Sequence, residues 1–410
     1  MTARKANPNY RWVIMIINVL ICALAYAGLT TWSMASPKLA ETFKISATVA
    51  SLGSSLFMLG YAVGSLVENA IAIRKGFRAA GIVGLLMMVI GCFGIPIAPN
   101  YAVVLLFRFM QGWGILWLVG VNSTVAWFPA RQRGLASGIA GSGNALGMGC
   151  GGLLATALLN ISGSWQGAFR AFGIVLLVGA VIWAVLMRNP PKDLYPEDAI
   201  VETGVTNEKE INPYKTVAAW LCGLCLFALA WHLIGFNTVV GSYVTKLGYS
   251  DVQAGTVILF CGLVGIPAPV LAGFASDALA KRMSPLRARS ITQAICFAVA
   301  AVTVCLYPIM ASSSIGMAVF GAVLVGAGTP AVNATLGALP MDLLGNQKAA
   351  NKMFALTCLV GLGAGGFAAP FIANYSAENF GFNTSMIVLG LGAVFGIIIS
   401  LVLPKFKLKH

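Results

Sequence analysis

The sequence predicts an all-α membrane protein with twelve transmembrane helices. Three observations predict it: twelve long apolar stretches, basic residues sorted onto alternate connections between them, and one long hydrophilic segment near the middle of the chain. A hydrocarbon core of about 30 Å requires about 20 apolar residues of helix. The predicted spans cover residues 11–36, 46–71, 77–98, 101–128, 134–160, 168–187, 217–245, 251–275, 288–310, 314–340, 350–373 and 382–403.

The basic residues indicate the orientation of these spans. If the N-terminus is cytoplasmic, 21 of the 26 Lys and Arg residues lie on the cytoplasmic side, four lie outside, and Arg108 alone lies within a span. Cytoplasmic loops are enriched in Lys and Arg, so we expect both termini in the cytoplasm and a multi-pass location in the inner cell membrane. The formal net charge of +14 reflects this topology, and the expected surroundings are a lipid bilayer rather than nucleic acid.

Composition excludes several classes of protein. A hydrophobic content of 59% with 9% charged residues excludes a water-soluble fold for most of the length. The spans must be helices because lipid cannot satisfy an open sheet edge. The nine cysteines lie in apolar spans, and we interpret them as small core hydrophobes. The sequence has no metal-ligand cluster, no Ser-His-Asp spacing and no phosphate loop, so we expect neither an enzyme nor a cofactor.

The hydrophilic segment separates six spans from six. It holds six of the twelve acidic residues, and the two halves repeat short patterns, such as Ala23-Leu-Ala-Tyr26 and Ala228-Leu-Ala-Trp231. Ser46 and Ser250 occupy matching N-cap positions before spans 2 and 8. A duplicated six-helix bundle predicts such repeated sequence patterns. The expected units are an N-terminal six-helix bundle over residues 1–188, a cytoplasmic linker over 189–213 and a C-terminal six-helix bundle over 214–410.

Two loops carry a motif in which an acid at the end of a span precedes basic residues. Gly64 and Glu68 end span 2, and Gly273 and Asp277 end span 8. This pattern resembles the major facilitator superfamily, and the resemblance implies two pseudo-symmetric six-helix bundles around an alternately exposed site. An acid beside basic side chains can form a latch that closes the cytoplasmic side; simple anchoring at the membrane interface is the alternative. The expected gating residues are Glu68, Arg78, Asp277, Lys281 and Arg282.

Span 4 contains a cation within the predicted membrane. Arg108-Phe-Met-Gln111-Gly112 is similar to the superfamily's Arg-x-x-x-Gly signature. Arg108 lies about seven residues, or ~10 Å, from the outer end of the span. A charged residue there costs about 2.5–3.5 kcal/mol on insertion scales unless it faces protein or water. Its expected partner is a bound anion, a set of backbone carbonyls or Gln111, and a structural clamp between helices is the alternative to a substrate site.

Other segments refine the resemblance. Glycine stripes over residues 138–152 and 361–366 allow close helix packing, as at the interface of the two halves in the superfamily. The segments 127–138 and 379–384 are similar to the oxalate/formate antiporter and monocarboxylate transporter branch, which implies a carboxylate substrate. Relatives of that kind commonly place a basic residue in span 8 or span 11, and the matching stretches of this chain, residues 267–269 and 356–361, hold neither Lys nor Arg.

An alternating-access site lies between the halves near the bilayer centre. Polar and aromatic side chains at mid-span are therefore the candidates for substrate contact, and a hydrogen bond to a neighbouring helix is the alternative for each. His232 either binds a carboxylate or a proton or is a core histidine. The candidates are Tyr26, Thr30, Tyr61, Arg108, Gln111, Trp117, Asn122, Asn144, His232, Asn237, Asn333 and Thr357.

These observations predict a monomeric secondary transporter that moves a small organic anion by alternating access. An exporter of amphiphilic or cationic compounds is one alternative, although it needs a buried mid-span acid that the sequence lacks. A proton-coupled organic acid symporter is another. Because the acids lie near the ends of the spans, exchange, facilitated transport or coupling through His232 is favoured over symport through a buried carboxylate. A membrane-embedded enzyme or sensor would need a catalytic constellation or a soluble domain.

Overall fold

The computed structural model is helical throughout the residues that it describes, which are 9–129, 132–191, 212–336, 339, 343, 353 and 356–406. A π-helical segment, Leu359–Gly365, precedes α13. In chain order the α-helices are α1 (Tyr10–Phe43), α2 (Ala47–Lys75), α3 (Phe77–Gly94), α4 (Tyr101–Trp113), α5 (Trp117–Trp127), α6 (Arg133–Ser162), α7 (Trp165–Leu186), α8 (Val217–Lys246), α9 (Asp251–Leu263), α10 (Pro267–Ala280), α11 (Pro285–Ser313), α12 (Ile315–Leu336), α13 (Gly366–Phe380) and α14 (Phe382–Val402).

The prediction of an all-helical membrane protein is confirmed. Eleven helical segments of the described residues are long and apolar enough to cross a bilayer, and Ile315–Gly328 is a shorter apolar stretch within the tenth predicted span. Two predicted ends were wrong by seven residues: span 1 continues beyond position 36 to Phe43, and span 11 continues beyond position 373 to Phe380. The extension of span 1 holds because Ala35 and Leu39 are fully buried against neighbouring helices at the end of the half remote from residue 10, here called the outer end. The extension of span 11 likewise buries Ser376. Most of residues 337–355, between spans 10 and 11, lie outside the described residues.

The predicted N-caps of the second and eighth spans are both present. The Ser46 hydroxyl accepts a hydrogen bond from the Val49 amide at 3.2 Å. Ser250 forms a capping box with Gln253, in which each side chain accepts from the other residue's backbone amide. Such caps satisfy amides that lack an acceptor within the helix. They fix where each helix begins at the outer end of its half.

Three spans that the sequence predicts as continuous are broken, and the breaks lie at similar depth. The fourth span stops at Gly114 and resumes at Trp117, and the eighth is interrupted at Val264–Ile266 before Pro267. Both breaks begin 13 residues, or about 20 Å of helix, from the outer end of the span. In the eleventh span the π-helical segment ends 15 residues, or about 22 Å, from the outer end at Phe380. Broken helices inside a membrane place backbone groups where a ligand can reach them.

Glycines allow the fourth span to press against the second. A Cβ atom added at Gly112 would lie 1.8 Å from the backbone oxygen of Phe57, and one added at Gly60 would lie 2.1 Å from that of Phe109. No side chain fits at either contact. The two backbones therefore approach as closely as small-residue interfaces in membranes permit, which positions Arg108 beside α2.

The helices before residue 191, here the N-terminal half, contact those after residue 212, the C-terminal half, along two seams. In the first, α6 packs on α9, where a Cβ atom at Gly262 would lie 2.2 Å from the Gly149 amide nitrogen. In the second, α2 packs on the eleventh span, with Gly366 against the Met58 side chain. One hydrophobic core runs through both halves.

Candidate functional site

Two tyrosines form the centre of the candidate site. Tyr26 of α1 and Tyr61 of α2 are 8% and 1% exposed. Their hydroxyl groups lie 3.3 Å apart, and their rings pack edge to face with centroids 6.0 Å apart. Tyr61 lies 14 residues, or about 21 Å, from the start of α2 at Ala47. This is the depth at which the fourth and eighth spans break.

Residues of two further helices join this pair. α6 packs against Tyr26 at Gly147, one turn from Asn144, which places Asn144 near the Tyr26 side chain. Cys358, just before the π-helical segment in the C-terminal half, packs on the same hydrophobic core as both tyrosines. Thr357 precedes it, and its hydroxyl donates to the backbone oxygen of Met353 at 2.9 Å. We call Tyr26, Tyr61, Asn144 and Cys358 the central cluster.

Arg108 lies inside the N-terminal half and is completely buried. Its Nε donates to the backbone oxygen of Gly53 at 3.1 Å, and its Nη1 donates to that of Gly28 at 3.2 Å and to the Gln111 side-chain oxygen. The guanidinium also stacks over the rings of Trp32 and Phe57, at 4.5 and 4.4 Å from their centroids.

This geometry joins three helices through one side chain. Gly28 belongs to α1, Gly53 to α2 and Arg108 to α4. Cation–π contacts with two rings compensate in part for lost hydration of the charge. Nη2 is buried without a hydrogen-bond partner among the described residues. Of the partners expected from the sequence, backbone carbonyls and Gln111 are therefore present in the structure.

Gln111 extends this buried polar group away from the tyrosines. Its amide nitrogen donates to the Cys92 sulfur of α3 at 2.8 Å, and both residues are fully buried. Arg108, Gln111 and Cys92 therefore form a chain of polar contacts within the N-terminal half. No hydrogen bond among the described residues joins this chain of contacts to Tyr26 or Tyr61.

His232 and Asn237 lie within the C-terminal half. The His232 Nε2 atom is 3.2 Å from the backbone oxygen of Ala300 in α11, and the ring is completely buried. Asn237 donates to the backbone oxygen of Leu233 at 2.8 Å, one turn earlier on α8. Each side chain thus contacts a backbone oxygen of a helix. This is the alternative to substrate binding that the sequence left open.

The remaining candidates are spread around the central cluster. Thr30 is buried, and its hydroxyl donates to the Ala27 oxygen at 3.1 Å. Trp117 is partly buried against the core that contains the tyrosines. Asn122 and Asn333 are exposed. The structure thus joins Tyr26 and Tyr61 by a hydrogen bond and places Asn144 near them.

The predicted cytoplasmic latches are not formed in this structure. Glu68 is completely buried, and neither carboxyl oxygen has a hydrogen-bond partner among the described residues. It packs on Gly84, where a Cβ atom would lie 2.2 Å from Oε1. Arg78 and Asp277 are exposed, as are Lys281 and Arg282, and no ion pair joins any of these acids to a base within the described part of the chain. The latch itself stays a prediction about another state.

A contact at the outer side was missed by the sequence reasoning. Glu378, near the end of α13, accepts a hydrogen bond from the Thr48 amide at 3.0 Å and another from the Thr48 hydroxyl. Thr48 lies in the first turn of α2, where amides lack acceptors within the helix and favour negative charge. This pair, the outer latch, joins the two halves. An acid ending span 11 opposite the N-terminus of span 2 was the available signal.

A second missed feature is a buried polar network near the N-terminal end of α1. The Asn18 amide nitrogen donates to the hydroxyls of Ser123 and Thr124, at 2.9 and 2.7 Å. Both hydroxyls donate in turn to the backbone oxygen of Gly120. The network ties α1 to α5 within one half. Because short polar side chains in a span carry no periodic signal, spacing alone did not identify it.

The sequence matches the model of one protein family over most of its length. The model of the family described as Major Facilitator Superfamily matches residues 17–366. The chain belongs to the major facilitator superfamily. The relatives described next are named as transporters.

Two relatives and one solved structure illustrate the match. The chain is 24% identical over 275 residues to the hexuronate transporter of Bacillus subtilis, covering 66% of this chain and 65% of that protein, just under two thirds of its length. It is 24% identical over 424 residues to the probable sulfoacetate transporter SauU of Cupriavidus necator, covering 97% and 95%. An inward-facing bacterial homolog of the human lysosomal transporter Spinster aligns with a TM-score of 0.76 at 16% identity, covering 98% of this chain and all of that one.

Proposed function

We propose that this protein transports a small organic anion with at least one carboxylate across the cytoplasmic membrane, by alternating access of a site between its two halves. The central cluster carries the proposal. Its donors come from α1, α2 and α6, and it meets the eleventh span at the depth where three spans break. Relatives named for hexuronate and sulfoacetate support an organic acid as the substrate.

The chemistry of the cluster suits a carboxylate. Two phenol hydroxyls and an amide are neutral donors that can bind an anion, and the tyrosine rings suit the apolar face of a small organic acid. The fully buried Arg108 supplies positive charge in the same half. We infer that Arg108 acts mainly as a positioning residue, because its contacts hold α1 and α2, which carry the two tyrosines.

The proposed transport cycle uses residues 1–188 and 214–410 as two moving units joined by the linker. In this structure the outer latch joins the two halves at their outer ends, and the Gly149–Gly262 contact joins them near the middle of the spans. Turnover requires these contacts to open while the cytoplasmic motifs around Glu68 and Asp277 close. We further propose that the transporter acts as a monomer in the inner membrane with both termini in the cytoplasm. The loop similarity to the oxalate/formate and monocarboxylate branch favours exchange of carboxylates.

Uptake into proteoliposomes tests this function. Radiolabelled glucuronate, sulfoacetate and simple mono- and dicarboxylates are offered at fixed pH, with a cationic amphiphile as the competing class. We expect at least one carboxylate to be taken up saturably and to raise the melting temperature of the purified protein, since a ligand stabilises the state that it binds. Uptake and stabilisation by the cation alone would overturn the proposal.

Matched hydroxyl deletions test the site. Tyr61→Phe removes one hydroxyl of the central pair, whereas Tyr249→Phe removes a hydroxyl that donates to the Ala311 oxygen at 3.2 Å, away from the cluster. Loss of one hydrogen bond to a charged group costs about 1.5–3 kcal/mol, which is about 10- to 150-fold in affinity. We expect Tyr61→Phe to raise KM within this range and Tyr249→Phe to leave it unchanged. Equal KM values would place the substrate elsewhere.

A further inference from the structure

A basic cleft lies at the cytoplasmic end of the C-terminal half, away from the central cluster. It is formed between the start of α11 and the end of α14. One part has a volume of about 330 Å³ and is lined by Arg287, Ser290, Leu401 and Lys405, among others. An adjoining part of about 590 Å³ continues along the loop before α11 and shares Arg287 with the first.

The charged side chains of the cleft are all basic. Arg287 and Lys405 line the first part, and Arg282 lines the second. All three are exposed, and none forms an ion pair with an acid in the part of the chain that the structure describes. Three cations around one opening favour binding of an anion with several oxygens, such as a phosphate group.

Two further donors point to an anion at the same place. Ser290 is 1% exposed, and its buried hydroxyl has no hydrogen-bond partner among the described residues. The cleft also opens at the N-terminus of α11, a helix of 29 residues whose N-cap, Ser284, makes no side-chain cap. Amides of a first helical turn lack intrahelical acceptors and attract anions. Ser290 lines the first part of the cleft, and the first turn of α11, in which Leu286 and Arg287 follow Pro285, lines the second.

Exposed apolar side chains beside the cleft indicate what kind of molecule carries this anion. Leu401 is 53% exposed, and Ile398, one turn earlier on α14, is 54% exposed. In a membrane-spanning helix such positions face lipid tails. The anionic end of the occupant therefore lies beside the basic side chains while its apolar part continues along α14 into the bilayer. A free phosphate ion would contact the basic side chains but not the apolar surface of α14.

We propose that this cleft binds the phosphate group of an anionic phospholipid of the cytoplasmic leaflet. Arg287 and Lys405 contact the phosphate, and Ser290 donates to one of its oxygens. Basic pockets at the cytoplasmic ends of membrane helices suit such headgroups. The bound lipid joins the start of the ninth span to the end of the twelfth, so it stabilises the C-terminal half without touching the transported substrate.

Lipid retention by the full-length protein in detergent tests the proposal. Native mass spectrometry measures binding of dioleoylphosphatidylglycerol and of dioleoylphosphatidylcholine, which has the same acyl chains and no net charge. The test variant is Arg287→Gln/Lys405→Gln. Its control, Arg74→Gln/Lys75→Gln, removes one Arg and one Lys that are exposed at the cytoplasmic end of α2. Ser290→Ala removes only the buried hydroxyl.

We expect the parent and the control to retain phosphatidylglycerol over phosphatidylcholine. The test variant should lose about thirtyfold in phosphatidylglycerol affinity, since each cation near an anionic lipid contributes about fivefold. Ser290→Ala should lose about tenfold or more, since it removes one hydrogen bond to a charged group. Equal retention by the test and control variants would overturn the site. Inorganic phosphate that raises the melting temperature of lipid-free protein as much as phosphatidylglycerol does would overturn the lipid as its occupant.

Discussion

Replacement of Arg108 distinguishes the two roles that the sequence left open for it, which are substrate binding and a structural clamp between helices. Arg108→Lys keeps the positive charge but removes the planar fork, and Arg108→Gln removes both. The guanidinium makes three hydrogen bonds, to the oxygens of Gly53, Gly28 and Gln111, and two ring contacts. A single ammonium cannot reproduce this arrangement because it presents a point charge.

The structure gives the size of the effect. If lysine keeps one of the three hydrogen bonds, the loss of two at about 1.5 kcal/mol each is about 3 kcal/mol. That loosens the packing of α1 and α2 on α4, so we expect both variants to melt at a lower temperature. We also expect each to transport at least tenfold more slowly per folded protein than the parent.

The assay is carboxylate uptake into proteoliposomes, normalised to protein that remains folded at the assay temperature. A positioning role predicts a lower maximal rate for both variants, and the contribution of charge to anion binding predicts a higher KM for Arg108→Gln alone. Leu106→Gln, at an exposed site on the same helix, controls for a polar substitution in α4. Normal uptake by well-folded Arg108→Gln would refute the reasoning.

Three further predictions concern gating and coupling. Glu378→Gln should widen the distance between spin labels at Lys44→Cys and Asn383→Cys on the outer side, while the control Glu41→Gln should not. Identical distances in both variants would show that the outer latch does not hold the two halves together. Asp277→Asn should slow turnover with little change in outward-facing substrate affinity, and unchanged distances across the cytoplasmic ends would contradict the predicted inner latch. Unlabelled substrate inside vesicles should accelerate entry of labelled substrate severalfold. Equal rates of entry into loaded and empty vesicles would instead favour proton symport. His232→Gln should change only the pH dependence of net uptake.

The helical architecture could be predicted because lipid imposes it. A span must satisfy its own backbone and remain apolar over about 20 residues, and both requirements are visible in the sequence. The breaks were harder to predict. Gly114 and Pro267 stand at two of them, but glycine and proline also occur inside continuous spans, such as Pro37 in α1 and Pro308 in α11.

The candidate site could be predicted only in part, because sequence gives the depth of a residue better than the direction in which it points. Tyr26, Tyr61 and Asn144 were expected at mid-span and do meet. Arg108 and His232 were expected at similar positions, yet both contact the backbone of helices in their own half. In a helix that is apolar on every side, no hydrophobic stripe indicates which face is turned toward the neighbouring half.

The distribution of polar contacts indicates where the molecule moves. Within each half, side chains bind the backbones of neighbouring helices: Arg108 joins α1, α2 and α4, and Trp231 donates to the Val388 oxygen across α8 and α14 at 3.1 Å. Between described residues of opposite halves, the side-chain hydrogen bonds are those from Thr48 to Glu378. The two seams otherwise pack glycines against backbone and side-chain atoms of the opposite half, so opening them breaks no further side-chain hydrogen bond between described residues. Motion between two internally bonded halves therefore disrupts less than motion within either one, and the outer latch is the polar contact that such motion must break.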